Sequence, residues 1–190
     1  FNAFGPFPTK RALDTKGVTG KYIFDHDIFS REVNFVTGVD YYDHENDFLG
    51  SGDNVDDITI SKAEIGLFGY LECETLDDLF LNAGIRYNKA EYAFSQRNVA
   101  IDAKETPDDW VSMGGLKYEY AKGSNVHFNF QETFRFLSTD EWYSTANFPS
   151  FGITPGLNLG LNQQRGYQYE LGVKHNFNEK IEVSVLPYYM

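Results

Sequence analysis

The chain has 190 residues and a formal net charge of -12, with 28 Asp and Glu against 16 Lys and Arg. Because phosphate binding needs a surplus of basic residues, this balance argues against a nucleic-acid partner. Cys73 is the only cysteine, which excludes an internal disulfide and a zinc site built from paired cysteines.

The composition favours strands. Aromatic residues make up 17% of the chain, mostly 17 Phe and 13 Tyr, and these residues prefer strands to helix interiors. The mean hydropathy of -0.43 is typical of a soluble protein, and no run of about 18 apolar residues predicts a membrane helix. A membrane β-barrel alternates apolar and polar residues, so its mean hydropathy is low as well. The low hydropathy therefore leaves a membrane barrel open.

Runs with a period of two residues predict eight strands in a single domain spanning residues 1–190, with no amphipathic helix of three turns. Residues 1–17 are expected to form an irregular leading segment, and residues 18–190 to carry the strands. The predicted strands cover residues 18–25, 33–43, 58–73, 78–94, 109–120, 125–137, 166–177 and 181–190.

The predicted connections alternate between short and long. Short turns fall at 26–32, 74–77, 121–124 and 178–180, and longer loops at 44–57, 95–108 and 138–165. This alternation is expected of an antiparallel up-and-down transmembrane barrel, which has short periplasmic turns at one rim and extracellular loops at the other. Nothing in the architecture of a soluble β-sandwich requires short and long connections to alternate in this way.

Side-chain alternation separates two faces in each predicted strand. In the strand at 78–94, Leu79, Leu81 and Ile85 share one face, whereas Asn82 and Arg86 lie on the other. The apolar face would meet lipid and the polar face an enclosed lumen. Aromatic residues near strand ends are predicted to form a girdle at the outer membrane interface: Tyr41, Tyr42, Tyr87, Tyr92, Trp110, Tyr167 and Tyr169.

Two details of this pattern can be tested by a structure. The hairpin across Lys122-Gly123 is predicted to pair Tyr120 with Val126, because this register places apolar residues opposite each other on one face. Glu132 conflicts with the pattern, since it lies on the lipid-facing side near the middle of its strand. A bulge is expected to turn Glu132 inward.

Three phrases resemble the barrel of TonB-dependent outer-membrane receptors, over roughly residues 33–190. Residues 81–87 (LNAGIRY) resemble a strand motif of that family, and residues 134–141 (FRFLSTDE) resemble a box that begins with Phe-Arg and ends in Glu. Residues 166–174 (GYQYELGVK) resemble the strand that follows this box. The order and spacing of the phrases match, although Leu137 stands where the box has proline.

The resemblance implies a barrel of about 22 strands in the bacterial outer membrane, plugged by a separate N-terminal domain. It also implies energised uptake of a scarce small-molecule ligand, a metal chelate, vitamin or glycan, through TonB. This chain would supply about eight of the strands, in contact with outer-membrane lipid, but neither the plug nor the TonB-binding segment. On the residues alone, a small passive outer-membrane barrel or adhesin and a soluble β binding module stay open as alternatives.

The residues predict no enzyme activity, catalytic residue or cofactor, because no nucleophile elbow, Walker loop, His-Glu-x-x-His or Cys/His cluster occurs. The acidic stretch at 53–57, which could begin a calcium loop ending at Glu64, has Ile58 where such a loop needs glycine. No metal site is therefore predicted.

Candidate ligand-binding residues fall into two groups. Arg86, Arg135 and Glu170 are predicted on the inner wall, where they would bind a ligand or form salt bridges within the wall. Long loops often carry function, so the loop at 138–165 supplies the second group, for which ordinary loop packing is the alternative. Its members are Glu141, Trp142, Tyr143 and Asn147.

Overall fold

The computed structural model describes residues 9–28, 31–50, 58–96, 102–138, 141–144, 156–157, 160–178 and 181–190. No helix capable of crossing a membrane occurs among them. The strands are β1 (Thr9–Ile28), β2 (Arg31–Gly50), β3 (Ile58–Leu76), β4 (Leu79–Gln96), β5 (Asp102–Glu105), β6 (Asp108–Ala121), β7 (Ser124–Arg135), β8 (Tyr143–Ser144), β9 (Gly156–Leu157), β10 (Gln164–Asn178), β11 (Ile181–Val185) and β12 (Tyr188–Tyr189).

The main sheet is antiparallel and follows the order of the chain, β1-β2-β3-β4-β6-β7-β10-β11, with β5 beside β4 and β12 beside β10. Pro187 lies between β11 and β12, and its carbonyl still accepts a hydrogen bond from the Leu171 backbone N–H at 3.1 Å. The predicted all-β, up-and-down architecture with about eight main strands is confirmed. Among the described residues the sheet is open, with β1 and β11 at the two ends of the path.

The first strand is longer than predicted. It begins at Thr9, so the irregular leading segment predicted at 1–17 is wrong for residues 9–17, while residues 1–8 lie outside the described part of the chain. Residues 9–17 pair without interruption with residues 42–50 of β2. Backbone hydrogen bonds to a neighbouring strand hold this segment in place, although its sequence does not alternate in hydrophobicity.

One face of the sheet is apolar and exposed, and we call it the outward face. Strand pairing aligns a row of apolar side chains across β4, β6, β7 and β10. These residues are 37% to 49% exposed, and Ile85 on β4 is 54% exposed. In the part of the chain that the structure describes, no other element packs on this face. The row consists of Leu81, Leu116, Phe128 and Leu171.

The opposite face, which we call the inner wall, is polar over most of its area. At one end of the sheet, where the connections at 51–57, 97–101 and 136–163 join the strands, it carries an apolar cluster that the sequence did not predict. We call this the upper end. Side chains of β3 and β4 form the cluster together with three residues that follow β7, namely Phe136, Leu137 and Trp142. Its buried members are Ile58, Ile60, Ala90, Tyr92, Phe94, Phe136, Leu137 and Trp142.

The β6–β7 hairpin has a different register from the predicted one. Val126 pairs with Tyr118, and not with Tyr120. The chain reverses through a two-residue turn in which Gly123 has a φ of 72°, and the register shifts between Tyr118 and Ala121. This shift inserts one extra residue in β6, a bulge that the sequence pattern does not reveal. Because the pairing moves by two residues, side chains keep their predicted faces.

The expected bulge at Glu132 is also wrong. β7 pairs with β10 without a break through Glu132 and Tyr167, so Glu132 stays on the outward face. Its carboxylate accepts hydrogen bonds from the Ser112 backbone N–H at 2.9 Å and from the Ser112 hydroxyl at 2.8 Å. The backbone pairing of β6 with β7 ends at Met113 and Gln131. Beyond that pair, the Glu132 carboxylate accepts the hydrogen bond from the Ser112 N–H that a strand partner would otherwise accept.

Candidate functional site

Arg86 is the centre of a polar cluster on the inner wall of β2, β3 and β4. Its guanidinium donates to the Asp40 carboxylate at 2.7 Å and to the Asn88 side-chain oxygen at 2.7 Å. The guanidinium lies over Gly66, where a Cβ would collide with it, and its carbon is 5.6 Å from the centre of the Phe68 ring. Arg86 is therefore held against the wall by three neighbouring strands, and its charge is compensated.

Glu170 belongs to a second cluster, on the inner wall of β7 and β10. Its carboxylate accepts a hydrogen bond from the Asn129 amide at 3.1 Å and lies 3.4 Å from His127 Nε2. Beside it is a concave region of about 310 Å³, whose lining includes Asn82 and Gln168. Amide groups donate and accept hydrogen bonds without carrying charge. With the Glu170 carboxylate also in its lining, this part of the wall offers hydrogen-bond donors and acceptors to a polar ligand.

Arg135 and Glu141 form a bidentate ion pair at the upper end. The two guanidinium nitrogens donate to the two carboxylate oxygens at 2.7 and 2.9 Å. The backbone N–H of Ser138 donates to the same carboxylate at 2.7 Å. The hydrogen bonds from Arg135, and then that from Ser138, lower the pKa of Glu141 to about 2. The pair links the end of β7 to the residue that precedes Trp142.

Trp142 follows Glu141 and is buried, with 4% of its surface exposed. The centre of its ring system is 5.3 Å from that of Tyr92 and 5.6 Å from that of Phe94. The Tyr92 hydroxyl donates to the Leu137 carbonyl at 2.6 Å. Aromatic packing and this hydrogen bond therefore hold Trp142 and Leu137 against the inner wall.

The seven residues predicted to bind a ligand do not converge on one site. Arg86 and Glu170 lie in separate clusters, whereas the structure brings Arg135, Glu141 and Trp142 together at the upper end. Tyr143 begins β8, and Asn147 lies outside the described residues. Within the described ranges, no group of three or more His, Cys, Asp or Glu side chains could hold a metal ion.

Tyr92 lies on the face of the sheet opposite to the one predicted for it. It was predicted in the outer girdle, but it is fully buried on the inner wall. The signal was present in the alternation, because Tyr92 has the same parity on β4 as Asn88 and Ala90, opposite to Leu81 and Ile85. In contrast, Tyr87 and Trp110 pair on the outward face with their ring centres 4.8 Å apart, as a girdle requires.

Comparison with known proteins agrees with this architecture. Residues 2–187 match the family described as TonB dependent receptor-like, beta-barrel. No curated protein matches the chain.

Several solved structures share the fold. The copper transporter OprC has a TM-score of 0.70 at 16% identity, over 96% of this chain and 31% of that one. For the alcaligin outer-membrane receptor FauA from Bordetella pertussis the TM-score is 0.69 at 15% identity, over 95% and 29%. For the siderophore receptor PiuA from Acinetobacter baumannii it is 0.69 at 12% identity, over 94% and 32%. The chain thus spans less than a third of each of these proteins.

Proposed function

Because this chain belongs to the TonB-dependent receptor β-barrel family of the bacterial outer membrane, we propose that it forms part of the wall of a receptor that imports a scarce ligand. The ligand is a metal chelate, a vitamin or a glycan. The receptor's partners are a plug domain inside the barrel and TonB, which passes on the energy for uptake. In this role the chain positions and encloses a ligand and catalyses no reaction.

The exposed apolar band on the outward face supports the proposed position of the chain in a membrane. On β4 the outward side chains are apolar from Leu79 to Tyr87, and the next two, Lys89 and Glu91, are charged. At about 3.3 Å per residue, and with a strand tilt of about 40°, the apolar stretch is roughly 20 Å tall. The apolar band of outer-membrane barrels is about 25 Å tall, so the stretch suits a bilayer.

Cys73 offers a direct test of this orientation, because it shares an outward row with Val33 and Leu81. A nitroxide would be attached to Cys73 in the receptor in lipid vesicles, after replacement of any other cysteines. We expect electron paramagnetic resonance to show greater access for oxygen than for a water-soluble nickel chelate. The control places the label on the inner wall, as Asn82→Cys combined with Cys73→Ser, where we expect the opposite preference. Equal access of the nickel chelate to both labels would contradict the proposal.

Uptake needs a separate experiment. Cells carrying the receptor would be given a ⁵⁵Fe-labelled chelate, labelled cyanocobalamin and a labelled oligosaccharide, each with and without TonB. We expect one of the three to accumulate only when both the receptor and TonB are present. Failure of all three to accumulate, or accumulation that does not change when TonB is removed, would contradict the uptake proposal.

A further inference from the structure

Tyr120 and His175 are in contact at the lower end of the sheet, the end opposite to the upper end. Both lie on the outward face, because Tyr120 has the same parity on β6 as Leu116 and His175 has the same parity on β10 as Leu171. Their rings are parallel within 6°, with centres 5.9 Å apart. Phe177 also packs edge-on against the imidazole, with ring centres 4.4 Å apart. Two aromatic neighbours therefore hold the imidazole in place.

The bulge in β6 brings Tyr120 to His175. The pairing of β6 with β7 is regular up to Tyr118, and its register shifts between Tyr118 and Ala121. Among the described residues, none of β7 pairs with Tyr120, whose hydroxyl contacts β10 instead.

Hydrogen bonds determine which nitrogen of His175 carries the proton when the ring is neutral. The Tyr120 hydroxyl donates to the Lys174 carbonyl at 3.1 Å. A hydroxyl has a single hydrogen, so its second contact, with His175 Nδ1 at 2.9 Å, requires Nδ1–H to donate to the hydroxyl oxygen. Nε2 of the neutral ring is then an acceptor, and no described residue donates to it.

Tyr120 and its neighbours lie between the apolar band and the charged turns. Leu79, the first residue of the apolar stretch on β4, pairs with Tyr118, so Tyr120 lies beyond that stretch. The Glu119 backbone N–H donates to the Asp78 carbonyl at 2.8 Å, which puts Tyr120 level with the turn between β3 and β4. Aromatic residues at this level of a membrane barrel contact lipid headgroups.

A headgroup that binds Nε2 has to donate a hydrogen bond. A phosphate diester only accepts hydrogen bonds, and the trimethylammonium group of choline has no N–H. The primary ammonium group of ethanolamine has three N–H donors, as the ammonium group of lysine has. Attraction between a cation and the rings of Tyr120 and Phe177 acts on both headgroups, so Nε2 decides between them.

We propose that His175, held by Tyr120 and Phe177, is a binding site for the ammonium group of phosphatidylethanolamine at the lower surface of the membrane. The inference rests on the proposed membrane position of the outward face. It does not depend on which ligand is imported.

The test observes the imidazole nitrogens directly by nuclear magnetic resonance. The full receptor, labelled with ¹⁵N-histidine in maltoside micelles, is titrated with dihexanoyl phosphatidylethanolamine and, separately, with dihexanoyl phosphatidylcholine. The His175 signals are identified by their absence in His175→Phe, which keeps an aromatic ring between Tyr120 and Phe177. We expect the proton on Nδ1 in the free receptor, and a saturable shift of Nε2 with the ethanolamine lipid.

The ethanolamine lipid should bind about tenfold more tightly than the choline lipid, the usual effect of one hydrogen bond to a charged group. A proton on Nε2 in the free receptor would overturn the site. Equal shifts with the two lipids would do so as well, because the phosphate that they share would then be the bound group. O-phosphoethanolamine, which has no acyl chains, should bind far more weakly, and equal affinity would show that the occupant is not a lipid.

Tyr120→Phe provides the matched variant, because it removes the hydroxyl that accepts from Nδ1–H and keeps the ring that stacks on His175. It is expected to lose most of the preference for the ethanolamine lipid. Tyr118→Phe is the control, since Tyr118 lies two residues away on the same face, and its preference should be that of the unmodified receptor. An unchanged preference in Tyr120→Phe would contradict the role of the hydroxyl.

The result is separable from the test of the membrane position. If the label on Cys73 reports lipid but Nε2 does not respond to the ethanolamine lipid, the site is wrong and the proposed function stands. If the label reports water, the proposed function is wrong, and a response of Nε2 would still identify a site for the headgroup.

Discussion

Large side chains on the inner wall lie flat over glycines of the neighbouring strand. Arg86 lies over Gly66, and the ring of Phe68 lies over Gly38. At Gly38 a Cβ would be 2.5 Å from the Phe68 ring and 2.5 Å from the carbonyl oxygen of Gly20. The carbonyl belongs to the backbone of β1 and cannot rotate away. A side chain at position 38 therefore has to push two strands apart.

Gly38→Ala is accordingly expected to destabilise the barrel by about 1–3 kcal/mol, the usual cost of overpacking. Gly69→Ala is the matched control, because the nearest atom to a Cβ at Gly69 is 4.0 Å away. Gly69 pairs with Thr37, so the two glycines lie in adjacent positions of the same part of the sheet. Urea unfolding of the receptor in lipid vesicles measures the difference, and equal losses in the two variants would contradict the steric argument.

Alternation along a strand predicts the face of a residue but not its partners. It placed Arg86 on the inner wall, and the structure agrees. Asp40, which pairs with Arg86, is 46 residues away along the chain and two strands away in the sheet. Which cation meets which anion depends on the register of two hairpins, and no local pattern fixes that register. The sequence therefore predicted salt bridges within the wall, but not the pairing of Arg86 with Asp40.

Among the elements, the described residues that follow β7 depart most from the sequence prediction. Residues 136 and 137 were assigned to a strand and residues from 138 to a loop, whereas the structure ends β7 at Arg135 and packs Phe136, Leu137 and Trp142 against β3 and β4. The cause is tertiary packing, since Phe136, Leu137 and Trp142 are buried among residues about 40 to 80 positions earlier in the chain. Alternation along a strand gives no information on contacts between residues so far apart in the chain.

Acid is expected to loosen the packing of Trp142. The pKa of Glu141 is depressed to about 2 in the folded state, chiefly by Arg135. A carboxylate with a depressed folded pKa stabilises fully above its ordinary value, here 4.5, and its contribution is lost as the pH falls through about 2. The emission maximum of Trp142, obtained by subtracting the spectrum of Trp142→Phe, should therefore shift to the red as the pH is lowered from 5 to 2.

Glu141→Gln should shift the Trp142 emission to the red already at pH 7 and remove most of its pH dependence in this range. Glu119→Gln is the control, because Glu119 pairs with Lys117 at the other end of the sheet. An acid-induced shift that is as large in Glu141→Gln as in the unmodified receptor would show that another group is responsible.

At the scale of the whole molecule, the apolar outward face and the polar inner wall of the sheet suit different surroundings. Exposed apolar residues are unfavourable in water, but they are required in lipid. The order of the strands and the composition of the two faces were predictable, because both follow from local turns and from alternation. The aromatic cluster on the inner wall was not predictable, because a tyrosine near a strand end, such as Tyr92, is equally typical of the membrane interface.

Ile85→Arg distinguishes the two environments. Ile85 is 54% exposed, so in a soluble protein this change would have little effect on stability. In a bilayer, arginine near the midplane of the outward face should cost about 2–4 kcal/mol. Glu91→Arg is the control, because Glu91 lies on the outward face of the same strand but beyond the apolar band. Urea unfolding in phospholipid vesicles measures both, and similar losses would contradict a lipid-facing band.

The length of β2 has a consequence for what approaches the cell. This strand continues nine residues beyond Tyr41, from Tyr42 to Gly50, and stays paired with β1 throughout. At about 3.3 Å per residue these nine residues add roughly 30 Å along the strand. Because both strands are paired over this length, residues 42–50 and their partners 9–17 extend beyond the apolar band as one stiff ribbon. A large particle arriving from the medium would touch this ribbon before it reached the bilayer.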